Sequence, residues 1–101
     1  MQTGNKTDYS RLYQAVLSLR SEAECAAFFE DLFTVTELNS LAQRLKVAAL
    51  LRAGKTCAAI CEQTGASTAT VSRVGRCLHY GAGGYQLALA RLSGPAEEGG
   101  A

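Results

Sequence analysis

The sequence predicts an all-α protein. Three observations carry that expectation. Apolar residues recur at the three- and four-residue spacing of a helix face through nearly the whole chain. Alternation with period two, the mark of half-buried strands, is scarce. Single Ser or Thr residues precede the apolar runs and glycines follow them, which is helix punctuation. The 101 residues are 48% hydrophobic and 19% charged, which suits one folded domain and not a disordered chain. A chain this small buries a limited core, so a second copy would add stability.

Each element has its own local reason. Residues 1–8 lack a stripe and are expected to be a flexible start. Tyr9 to Arg20 is the first helix, with Tyr9, Leu12, Tyr13, Val16 and Leu19 on one face. Ser21 followed by Glu24 reads as a capping box, so a second helix covers Glu22 to Phe33 with Ala26, Phe29 and Phe33 as its stripe. Thr34 followed by Glu37 is another such box, with Thr36 as a competing cap. A long helix follows, Glu37 to Ala53, with Leu38, Leu41, Leu45, Ala48 and Leu51 aligned and Gly54 as its stop. Thr56 caps a short helix, Cys57 to Thr64, which Gly65 ends. Ser67 caps Thr68 to Tyr80. The run GAGG at 81–84 breaks the chain, and Tyr85 to Leu92 is a last helix. Residues 94–101, GPAEEGGA, read as a flexible tail. The folded domain is therefore expected over 9–93.

Several function classes are disfavoured at once. No apolar run approaches the roughly 18–20 residues that span a bilayer. The start, MQTGNKTDYSR, lacks a secretory pattern, so a cytoplasmic location is expected. An enzyme has little support: there is one His, and the paired carboxylates Glu22/Glu24, Glu30/Asp31 and Glu97/Glu98 sit beside no obvious nucleophile or base. Cys25, Cys57, Cys61 and Cys77 without a secretory signal argue against a disulfide framework. They read as small apolar fillers, and no metal is assigned. Metal sensing through Cys57, Cys61 and Cys77 is the other reading.

Charge is uneven. Residues 1–40 carry net −3, residues 41–95 carry +6, and the last six carry −2. A basic half suits a polyanion-binding surface.

The most informative segment of that half is KTCAAICEQTGASTATVSRVGRCLHY, residues 55–80. It reads as a short helix, a glycine turn and a longer helix, the layout of a helix-turn-helix. Ile60 is expected to bury against the second helix. Cys61 stands where the helices cross and a small side chain is required. Gly65 supplies the positive φ of the turn, and Ala66 tucks under the corner. Val71, Val74 and Leu78 face inward. Thr68, Ala69, Ser72, Arg73 and Arg76 face outward. Short side chains near the helix start suit close approach to base edges, and arginines further along suit phosphates or guanine. Lys55, Thr56 and Ser67 would serve phosphates or orientation. Double-stranded DNA is the expected partner.

The stretch LxxR…LLR…GASTATVSRVGRCL resembles the Trp repressor superfamily, and within it the YerC/YecD group, which is similar in the ASTATVSRV and CLHYGAGGY segments. The resemblance covers roughly 9–93. It implies an intertwined homodimer with two helix-turn-helix heads, the second helix of each entering the major groove. Trp repressor is itself one of the proteins that define this docking, with heads roughly 34 Å apart on a palindromic operator. The resemblance also implies an effector site at Thr34, Arg44, Arg73 and Cys77, where Trp repressor holds tryptophan as corepressor. The sequence departs from that pattern. Val35 stands where a proline follows the threonine, Cys77 replaces a serine, and the Val74-Gly75-Arg76 run differs. Tryptophan, another small effector, or none are the alternatives, and no resident cofactor is expected. A second function class also stays open: a helical dimer that binds protein or a small ligand without binding DNA.

Overall fold

A computed structural model describes residues 6–100, with side chains to Ser93. Residues 1–5 and 101, part of the two expected flexible ends, lie outside the described residues. Among the described residues six helices follow one another: α1 Lys6–Leu17, α2 Glu22–Leu32, α3 Val35–Arg52, α4 Cys57–Thr64, α5 Thr68–Tyr80 and α6 Gly84–Gly100. The chain forms two compact units, one up to Leu38 and one from Asn39 onward.

In the first unit the helix ends are fixed by short-range chemistry. Helix α1 begins three residues before Tyr9, where Asp8 complements the dipole of its first turn. It ends at Leu17 and not at Arg20. There the Ser18 hydroxyl donates to the Ala15 carbonyl at 2.6 Å, and the Leu19 N–H reaches only back to Val16, which tightens and closes the last turn. The first capping box forms: Ser21 Oγ accepts from Glu24 N–H at 3.1 Å, and Glu24 Oε1 accepts from Arg20 N–H at 2.7 Å. Phe33 closes α2 in extended backbone, its N–H donating to the Phe29 carbonyl. The Phe29 and Phe33 rings meet edge to face at 5.4 Å. The second box is reciprocal, Thr34 Oγ1 accepting from Glu37 N–H and Glu37 Oε1 from Thr34 N–H. Thr34, not Thr36, therefore starts α3, two residues ahead of the expected Glu37.

Neither α1 nor α2 has a buried residue. Leu17 is 81% exposed and Tyr13 is 61% exposed. Of the stripes foreseen in the sequence, Tyr9, Leu12, Tyr13 and Val16 of α1 are exposed, while Phe29 and Phe33 of the second are half-buried.

The second unit has an interior. Val47 and Ala48 of α3, Ile60 of α4, Ala66 of the turn, Val71, Val74 and Leu78 of α5, and Leu89 of α6 form one buried cluster. Leu50, Leu51, Cys61 and Tyr85 pack against it. The expected α3 stripe is only partly right. Ala48 and Leu51 face this core, while Leu41 and Leu45 stay exposed and Val47 takes a fully buried place. The helix is apolar on more than one side, and the side turned to α4 and α5 is the one carrying Val47. Helix α3 ends as foreseen at Gly54. Lys55 N–H bonds the Leu50 carbonyl and Gly54 N–H the Leu51 carbonyl, the paired bonds of a Schellman motif.

Helix α6 continues to Gly100 where the sequence pattern stops at Leu92. The extension includes Gly94 and Pro95, both unfavourable in a helix interior, so nothing in the local sequence marks it. The break between α5 and α6 depends on Gly81. Its N–H donates to the Cys77 carbonyl at 2.9 Å, and a Cβ at that position would overlap the same carbonyl. Gly81→Ala is expected to lower stability by about 1–3 kcal/mol, the usual range for overpacking. A urea titration reads this directly, and an unshifted midpoint would show that the corner can relax.

Candidate nucleic-acid interface

The head is built from two caps and a corner. Thr56 Oγ1 accepts from Ala59 N–H at 3.1 Å and starts α4. Gly65 closes it in the left-handed region with φ 74° and ψ 5°, its N–H donating to the Cys61 carbonyl. That conformation is cheap only for glycine. Ser67 Oγ then accepts from Thr70 N–H at 3.1 Å and starts α5. Two residues, Ala66 and Ser67, separate the glycine from the second helix, and Ala66 is buried under the corner.

The crossing of α4 and α5 is apolar and buried. Ile60 is fully buried, Val71 and Val74 nearly so. Cys61 sits half-buried beside them, as a small side chain at the crossing must. Burial pushes its thiol above the usual thiol range, with further upward contributions from the hydrogen bond and charge of Cys57.

The sequence did not point to two residues that brace the corner. Gln43 Nε2 of α3 donates to the Thr64 carbonyl at 3.2 Å, across 21 residues. Thr64 Oγ1 donates to the Ile60 carbonyl at 2.7 Å and accepts from Ala66 N–H. The end of α4 is thereby satisfied by side chains. Gln43 lies in no motif, so nothing in the local sequence marks this role.

Outward from that frame lie Lys55, Thr56, Ser67, Thr68, Ala69, Ser72, Arg73 and Arg76, all exposed. Thr68, Ser72 and Arg76 follow at four-residue steps, as do Ala69 and Arg73, so they share the face opposite Val71, Val74 and Leu78. Between Asn39 and Ala96 the only acidic residue is Glu62, so little opposes the positive potential of that face.

The effector residues are less concentrated in their roles. Arg44, Arg73 and Cys77 are exposed, and Thr34 is occupied in capping α3. A concavity of about 350 Å³ in the second unit is lined by Ala49, Arg52, Ala53, Leu89 and Ser93, none of which belongs to that set. Among the described residues no three His, Cys, Asp or Glu side chains gather as a metal site, and no helix is long and apolar enough to cross a membrane.

A capped helix, a left-handed glycine corner and a second helix with a buried apolar inner face and a cationic outer face constitute a helix-turn-helix within an all-α fold. The model of the Trp repressor protein family matches residues 7–93. The chain belongs to the Trp repressor family, whose members are non-enzymatic DNA-binding regulators. It is of the YerC/YecD type. It is 52% identical over 85 residues to the "Uncharacterized protein YerC" of Bacillus subtilis (strain 168), an alignment that covers 84% of this chain and 82% of that one. A TrpR-like protein from Eubacterium eligens ATCC 27750 superposes with a TM-score of 0.84 at 48% identity, over 87% of this chain and 91% of the other. A putative Trp repressor from Staphylococcus aureus gives 0.83 at 44% identity, over 87% and 88%.

Proposed function

We propose that this chain is a sequence-specific regulator of transcription, a repressor, that binds double-stranded DNA as a homodimer through the helix-turn-helix at 56–80. The observation that carries the reading is the outer face of α5. It joins short side chains at Thr68, Ala69 and Ser72 to the cations Arg73 and Arg76, on a head whose inner face is fully packed. Thr68, Ala69 and Ser72 approach base edges. Arg73, Arg76 and Lys55, with the Thr56 and Ser67 region, hold the backbone.

The homodimer is supported by the first unit. Two helices without a buried residue, carrying Tyr13 and Leu17 largely bare, need a cover. A second copy supplies the same apolar faces in return. Control by a small effector at Thr34, Arg44, Arg73 and Cys77 belongs to the same proposal, as does a cytoplasmic setting.

The test is selection from a pool of random duplexes at moderate salt, with and without a mixture of amino acids. A palindrome is expected in the recovered duplexes, with half-sites about one helical turn apart. Dependence on the mixture would indicate an effector. The competing reading is a dimeric interaction module without DNA binding. It is favoured by the tip of α5, which has no Asn, Gln or Arg to form a bidentate contact. Absence of enrichment in both conditions selects that reading.

A further inference from the structure

The tip of α5 says more about which bases it would read, given the DNA-binding reading on which this inference rests. The N-terminal end of a recognition helix is the part that reaches base edges. In this head that end carries Thr68 and Ala69, both exposed. Ser67 beside them is already engaged. Its hydroxyl donates to Thr70 Oγ1 and accepts from Thr70 N–H, both at 3.1 Å. Thr70 itself is half-buried. Ala69 offers a methyl and nothing else. Thr68 offers a methyl beside one hydroxyl, and a hydroxyl both donates and accepts, so it pairs with any base edge and discriminates little.

The major-groove edges of guanine, adenine and cytosine present donors and acceptors at these positions. Thymine alone adds an apolar group, its C5-methyl. A methyl side chain pressed on a polar edge displaces water and returns no hydrogen bond, which is unfavourable. Pressed on the thymine methyl, it buries apolar surface on both sides.

We infer that, beside Ser72, Thr68 and Ala69 are specificity-determining residues of the head, and that they select thymine by covering its C5-methyl group. Arg73 and Arg76, about one and two turns further along, set the register that brings those methyls together.

The test separates the methyl from everything else in the duplex. Duplexes recovered from a random pool made with thymidine are resynthesised with deoxyuridine in its place, which deletes only the C5-methyl. The uracil duplexes are expected to bind about fourfold more weakly for each methyl covered, from roughly 0.8 kcal/mol per buried carbon. Two covered methyls would give more than tenfold. Thr68→Ser keeps the hydroxyl and removes the side-chain methyl. It is expected to shrink the thymine-to-uracil ratio and to leave the salt dependence unchanged. Equal binding of the two duplex sets, or a ratio unaltered by Thr68→Ser, overturns the inference while DNA binding stands. Failure to bind either set overturns the DNA-binding reading and this inference with it.

Discussion

Ile60→Ala is expected to cost about 2–5 kcal/mol of stability, the range for deleting a large aliphatic side chain from a packed interior. Ile60 is completely buried, and it is the only buried residue of α4. An eight-residue helix does not persist by itself, so its place depends on tertiary contacts, of which Ile60 is the one fully buried. Whole domains are stable by only about 5–15 kcal/mol, which makes the loss a large fraction of the total. The expected result in a urea titration is a midpoint well below that of the parent protein. Ile60→Val, which keeps the branch and removes one carbon, should cost about 0.5–1.5 kcal/mol. If both variants unfold at the parent midpoint, α4 is not held by this side chain.

The second large effect concerns binding. The double variant Arg73→Ala, Arg76→Ala removes the two cations on the outer face of α5. A charge-assisted hydrogen bond is worth about 1.5–3 kcal/mol, so affinity for duplex DNA should fall by tenfold or more per arginine. If these arginines hold phosphate, the log–log salt slope should flatten by about 0.9 for each one, and in a dimer each residue counts twice. The weakening should then be uniform across sequences. Ser72→Ala, by contrast, should change base preference and leave the slope alone. A double variant with parental affinity and slope would show that the face is misassigned.

The parts of the fold that could be read from the sequence are those governed by nearest neighbours along the chain. Ser21 with Glu24, Thr34 with Glu37, Thr56, Gly65 and Ser67 all act within three or four residues, and each does what its chemistry requires. The head was legible for the same reason. Ile60, Ala66, Val71, Val74 and Leu78 are fixed by one short turn and one helical period. The face of α3 was less legible, because Leu41, Leu45 and Val47 offer apolar surface on different sides and only tertiary packing chooses among them. The Gln43–Thr64 hydrogen bond spans 21 residues and has no local signature at all. At the candidate site, the outer face of α5 followed from helical periodicity. The effector residues Thr34, Arg44, Arg73 and Cys77 rested on resemblance, since no pattern of spacing joins them.

The first unit has one consequence of a different kind. Helices of 12 and 11 residues with nothing buried do not hold themselves, so their order has to come from whatever covers them. On the proposed homodimer that cover is a second molecule, and folding of this half becomes a bimolecular event. Dilution then acts as a denaturant, and the melting temperature rises with protein concentration. On that reading the regulator measures its own abundance: below a threshold amount the helices of the first unit lack their cover, and above it they are ordered.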